Sequence, residues 1–191
     1  MKNGSNQNWD SYYSENRDFS LMTSQALTKV LAHVDARLEK ICLDLGCGTG
    51  QLTRELFHRG YTCVGVDLAE SALRTAKSLT VQASSLTYIR GDLETLQSTD
   101  LPRRQFSLIT CKLVIAFVKD KERFLKLAHD SLAPGGTFAV VTPVFGSKIC
   151  EKKPGICVSS EEIEKQLGDR FGNVTVEPLG DVECFISHRQ S

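Results

Sequence analysis

Apolar positions in this chain follow two rhythms: short unbroken runs, and longer stretches in which they recur at helical spacing. The runs at 41–45, 61–67, 86–90, 106–111 and 137–142 predict five strands, since a continuous apolar run between turn residues suits a strand covered on both faces. Between them, Leu52, Leu56 and Phe57 predict a helix that Gly60 closes, and residues 71–79 predict a second. A third is predicted over 120–132, with Phe124, Leu125, Leu127, Ala128 and Leu132 on its apolar side, before the sharp stop of residues 133–136. The regular exchange of strand and helix predicts an α/β domain with a parallel sheet and helices on both faces.

The two ends of the chain depart from that rhythm. Leu21, Leu27, Val30, Leu31 and Val34, with the aromatics Trp9, Tyr12, Tyr13 and Phe19 before them, predict two helices ahead of the first strand. The aromatic cluster reads equally as core over a sheet edge and as a lid. Residues 143–158 read as a long loop carrying Lys148, Lys152 and Lys153, then come a capped helix from 159 to 171 and two strands at 174–177 and 182–188. With no repeat or linker, residues 9–191 read as one domain behind a small polar tail, 1–8, expected to be disordered.

Chemistry gathers at the carboxyl ends of the strands. Asp44, near the end of the first, precedes Gly46, Gly48 and Gly50, so a strand enters a tight turn and then a helix whose first N–H groups are unpaired. Asp67 ends the second strand, 17 residues after Gly50, and suits a ribose. It also reads as a helix N-cap, with Glu70 three positions on. Asp92 follows the third strand, and in a parallel sheet these ends share one ligand-binding edge. A dinucleotide fingerprint needs a glycine where Gln51 stands, and Asp44 sits better near an ammonium than a diphosphate. A glycine-rich turn that serves packing alone is the plainer alternative.

The sequence Asp-x-Gly-x-Gly-x-Gly at 44–50 resembles motif I of the class I S-adenosylmethionine-dependent methyltransferases. Gly65-Val66-Asp67 and Gly91-Asp92 resemble that family's acidic motifs, and Leu132-Ala133-Pro134-Gly135-Gly136-Thr137 resembles the turn before its fifth strand. The resemblance implies a Rossmann-like fold with a largely parallel seven-stranded sheet and an antiparallel last strand. It also implies S-adenosylmethionine as cofactor and S-adenosylhomocysteine as product. Carried onto matching positions, it puts Gly46, Gly48 and Gly50 near the methionine and ribose, and Asp44 at the ammonium. Asp67 then falls at the ribose hydroxyls, Leu68 against adenine, Asp92 and Leu93 at the adenine edge, and the Cys111 carbonyl near the amino group. Tyr13 joins them at the mouth, with Tyr12 and Lys112 as further polar candidates. The family's nucleic-acid amino-methylating branch has Asp or Asn before Pro-Pro where this chain has Thr110-Cys111-Lys112-Leu113, which leaves a small-molecule acceptor. A non-catalytic cofactor-binding or adaptor domain is the alternative, and an NAD-binding oxidoreductase a weaker one.

Composition narrows this reading further. Lys plus Arg and Asp plus Glu number 23 each, so no net field recruits nucleic acid. Seven cysteines, several in apolar runs, suggest reduced thiols rather than a disulfide framework, and Cys184-x-x-x-His188 is too little for a metal site. No apolar run reaches membrane-spanning length, so a soluble, reducing, cytoplasmic setting is expected. None of the four histidines lies at a strand carboxyl end, so no general base is assigned.

Overall fold

The computed structural model describes residues 8–15, 22–80, 84–103 and 105–190; the tail 1–7, Phe19 and Leu21 lie outside them. Seven strands form one sheet: β1 (Ile41–Leu45), β2 (Thr62–Asp67), β3 (Leu86–Arg90), β4 (Phe106–Lys112), β5 (Leu132–Thr142), β6 (Val174–Pro178) and β7 (Glu183–His188). Their order is β3-β2-β1-β4-β5-β7-β6, with β7 antiparallel to both neighbours and the pairs from β3 to β5 parallel. The expected α/β architecture with an antiparallel last strand is what forms.

Alternation along the strands sorts the core into two layers. On β1, Ile41, Leu43 and Leu45 pack with Phe124 and Leu127 of α5 (Lys121–Ser131) and with Ile163 and Leu167 of α7 (Ser160–Phe171). Cys42 faces the other way, toward Leu27 of α2 (Ser24–Leu31), Leu52 and Leu56 of α3 (Gln51–His58), and Leu73 of α4 (Glu70–Ser78). Buried Cys42 and Cys63 thus act as small apolar residues, and burial pushes the Cys42 thiol well above its ordinary pKa.

Four local expectations are revised. Asn8, assigned to a disordered tail, caps α1 (Trp9–Ser14) by accepting from the Ser11 N–H at 3.2 Å. β5 begins at Leu132 rather than 137. Pairing runs from Phe106↔Leu132 to Leu108↔Thr137, so residues 133–136 bulge out between them, held where the Gly135 N–H donates to Arg189 O at 2.8 Å. The 143–158 segment is folded: it holds α6 (Lys148–Lys152), a 3-10 turn at Pro154–Ile156 and a bridge from Val144 to Val158. Finally, Cys150 and Cys157 in that segment form a disulfide, against the expectation that all seven cysteines are reduced; the other five are free and buried.

Candidate functional site

A cavity of about 320 Å³ opens at the carboxyl edge of the sheet, where β1, β2, the turn after β3, and β4 meet. Asp44, Gly46, Gly48, Asp67, Leu68, Asp92, Leu93 and Tyr13 all line it. Gly50 and Cys111 do not. Lys112, a candidate at the mouth, is in the wall, whereas Tyr12 stacks edge-on against Tyr13 with ring centroids 5.3 Å apart.

Each wall carboxylate is held by the chain's own donors. Asp44 lies beneath the first turn of α3, accepting from Thr53 Oγ1 at 2.6 Å and from Thr110 Oγ1 at 2.8 Å. Asp67 accepts from the Gly48 N–H through Oδ2 at 2.7 Å and from the Ala69 N–H through Oδ1 at 2.9 Å. Burial raises the pKa of both, partly offset at Asp44 by the threonine hydroxyls and at Asp67 by the backbone N–H groups. A carboxylate oxygen has two lone-pair directions, so each keeps acceptor capacity for a ligand. The cap expected from Asp67 does not form: α4 starts at Glu70, its N-cap position is Ala69, and Asp67 ties the glycine turn to the loop before that helix. Asp92 opens the next turn, accepting from the Glu94 N–H through Oδ1 at 2.9 Å.

The three glycines have three different neighbours. A Cβ on Gly46 would strike the Val114 side chain, one on Gly48 would lie 2.7 Å from the Tyr13 hydroxyl, and one on Gly50 would lie 2.5 Å from the Tyr88 hydroxyl. Gly50 also has φ +75°, where a side chain is strained. Val114 therefore forms a wall, Tyr13 a roof and Tyr88 a floor. The packing explanation holds at Gly50, while Gly46 and Gly48 border the cavity.

The lining also takes in Trp9, which the sequence offers as core or lid, and Leu113 and Gln51, to which it assigns no site role. Trp9 shares a helix face with Tyr13 at i, i+4, and its ring meets Phe117 edge-on with centroids 4.7 Å apart. Leu113 takes a left-handed backbone, φ +60°, donating its N–H to Val141 O at 2.8 Å and turning the chain after β4 along the wall. Gln51 also lines the cavity, and its Oε1 is shielded from solvent without a hydrogen-bond partner. Its position just after the third glycine could have drawn attention to it.

This polar, acceptor-rich wall suits a ligand with hydroxyls and a positive charge. Among the described residues no group of three His, Cys, Asp or Glu is placed to hold a metal, and no helix is long and apolar enough to cross a membrane. Comparison with known proteins agrees with the fold. Over nearly its full length the chain resembles a chain from the complex between the Haloferax volcanii Trm112 methyltransferase activator and a putative methyltransferase. That likeness has TM-score 0.74 at 16% identity, covering 97% of this chain and 99% of that one. The ubiquinone biosynthesis O-methyltransferase of Idiomarina loihiensis is 33% identical over 105 residues, 54% of this chain and 42% of that protein. The trans-aconitate 2-methyltransferase of Deinococcus radiodurans is 30% identical over 132 residues, 68% and 48% respectively. The chain thus spans about half the length of the curated relatives it matches. Residues 43–140, from mid-β1 into β5 and so across the glycine turn and all three strand-end carboxylates, match the methyltransferase domain family, and to that family the chain belongs.

Proposed function

We propose that this protein binds S-adenosylmethionine in the carboxyl-edge cavity and transfers its methyl group to a small-molecule acceptor. The observation that carries this reading is the convergence of Asp44, Asp67 and Asp92 on one cavity roofed by aromatic rings. The cavity residues fit such a ligand. Asp67, already fixed by two backbone donors, has acceptor capacity for paired ribose hydroxyls. Leu68 is 43% exposed although apolar, which suits it to lie against an adenine, with Asp92 and Leu93 at the base edge. Asp44 and the unpartnered Gln51 Oε1 are acceptors for an ammonium. Gly50 supports the turn through Tyr88, and Cys111, fully buried behind the wall, contributes through the backbone of β4.

Bound there, the cofactor supplies a methyl already activated by a sulfonium. What remains for the protein is to align an acceptor in line and to exclude water. Trp9, Tyr13 and Phe117 provide an apolar roof whose ring faces favour a cation. The acceptor approaches beside Lys119 and Lys112, the latter near enough to Asp44 to act on its carboxylate. Relatives named as O-methyltransferases support an oxygen nucleophile on a small acceptor. Cytoplasmic residence belongs to the same proposal, with five buried free thiols for it and the Cys150–Cys157 disulfide against it.

Calorimetric titration with S-adenosylmethionine and S-adenosylhomocysteine tests the binding, and release of S-adenosylhomocysteine over a panel of phenols, carboxylic acids, amines and thiols tests the transfer. Neither ligand binding at millimolar concentration overturns the reading. Binding without turnover on any acceptor puts the non-catalytic alternative in its place, and turnover on amines alone removes the oxygen nucleophile.

A further inference from the structure

Helix α4 begins without a capping side chain of its own. Its N-cap position is Ala69, whose methyl group accepts nothing, and the carboxylate just upstream, Asp67, is committed to the Ala69 and Gly48 N–H groups. A helix start leaves its first N–H groups unpaired, and an uncapped one loses stability. Here the second helical residue, Ser71, is nonetheless satisfied from far away in sequence. Its N–H donates to Asp10 Oδ1 at 2.7 Å, and its hydroxyl donates to the Asp10 carbonyl oxygen at 2.8 Å. The two bonds clamp one residue of α1 to one residue of α4. The first of them also holds the Asp10 carboxyl below its ordinary pKa.

Asp10 lies between two faces of the same short helix. Trp9 and Tyr13, one turn apart, look into the cavity, while Asp10 looks toward α4. Tyr13 stands over Gly48, and Trp9 rests against Phe117. Asp67 and Leu68, which line the cavity, lie three and two residues ahead of the first residue of α4. The roof is thus fastened to the helix that follows the loop carrying Asp67 and Leu68.

We propose that Asp10 is a positioning residue, a helix cap supplied across the fold by α1 to α4, which holds the aromatic roof down over the cofactor cradle. Opening the roof uncaps α4, so the loop carrying Asp67 and Leu68 loosens when the roof lifts. Entry and exit of a ligand from the cradle are then coupled to this one clamp. This extends the methyltransferase reading, but the closure of the roof itself does not depend on it.

The chain has a single tryptophan, Trp9, so its emission reports the roof without any label. The variants are Asp10→Ala, which removes the acceptor, and Asp10→Asn, which retains an oxygen able to cap. Measured without ligand, Asp10→Ala should shift Trp9 emission to the red and expose it to acrylamide, while Asp10→Asn stays like the parent. With S-adenosylhomocysteine bound, Asp10→Ala should release it about fivefold faster, the effect of losing one typical cap, and should raise KM for the cofactor more than it lowers kcat. Ser71→Ala, which removes only the hydroxyl half of the clamp, should fall between the two and covers the case in which Asp10→Ala fails to fold. Parental emission in Asp10→Ala overturns the proposal, as does an Asp10→Asn protein as impaired as Asp10→Ala, because charge rather than capping would then be responsible. An emission change with unaltered release overturns the coupling to the cradle. An emission change in a protein that binds no S-adenosylmethionine keeps the clamp and refutes the methyltransferase reading instead.

Discussion

Replacing Gly50 by alanine tests what the third glycine of the cradle does. At φ +75° an L-residue costs about 1–2 kcal/mol relative to glycine. The new Cβ would also sit 2.5 Å from the Tyr88 hydroxyl and 2.8 Å from two ring carbons, an overpacking of the kind that costs about 1–3 kcal/mol. Alanine recovers about 0.4–1 kcal/mol by restricting the unfolded chain. The net loss is then about 1–4.5 kcal/mol, against the roughly 5–15 kcal/mol by which a domain is stable. Tyr88 is buried between Gly50 and Gly65, so its ring has little room to retreat. Urea denaturation of the parent, Gly50→Ala, Tyr88→Leu and the double variant measures both parts: the steric part should appear as a coupling of about 1–3 kcal/mol, leaving the backbone part in the double variant. Gly50→Ala within about 0.5 kcal/mol of the parent, or strict additivity with Tyr88→Leu, would refute the assignment of this glycine to the tyrosine floor.

Other perturbations address the ligand side and the new covalent link. Asp67→Ala should weaken S-adenosylmethionine at least about tenfold in calorimetry, from charge-assisted bonds worth about 1.5–3 kcal/mol each, and Asp67→Ser should not restore it, since Asp67 does not cap α4. Burial raises the Asp67 pKa, so its contribution to stability is greatest below the ordinary value of 3.8 and is lost as pH rises through the folded value. Cofactor affinity should run the opposite way, because ribose hydroxyls need an ionised acceptor: it should fall on acidification with a midpoint above 3.8, and Asp67→Asn should remove that step from a pH titration of binding. Cys150→Ser should cost up to about 2.5 kcal/mol without reductant and nothing with it, from closure of a loop with sequence separation 7. A thiol count in denaturant should find five free cysteines in the parent, and seven would remove the disulfide.

The sheet was legible because its central strands are buried on both faces: 41–45 and 106–111 are apolar but for Asp44, Ser107 and Thr110. The strand-end carboxylates were legible for a topological reason, since a parallel sheet brings all such ends to one edge whatever the sequence distance between them. What escaped depends on partners distant in sequence. Nothing near Gly50 announces Tyr88, nothing near Ala69 announces Asp10, and the reading of Asp67 as a cap followed correctly from local spacing but lost to the Gly48 N–H, 19 positions away. The folding of 143–158 was hidden because its segment closes on itself, through Val144 and Val158 and through Cys150 and Cys157, and not through an apolar period. Leu113 is the opposite case, an apolar residue in a backbone region that its own type disfavours, so local preference pointed away from the observed turn.

The three cavity carboxylates come from separate βα units, and they are neighbours only when β1, β2 and β3 are paired in register. No fragment of the chain can therefore present the site, and any ligand that bridges Asp44, Asp67 and Asp92 binds the folded state alone. Occupancy and global unfolding become one linked equilibrium. A ligand at 100 times its Kd adds about 2.7 kcal/mol, and for a domain of this size each kcal/mol raises the melting temperature by about 2–4 °C. A shift of roughly 5–11 °C makes the melting curve itself a screen for cofactors and their analogues, one that needs no knowledge of the acceptor.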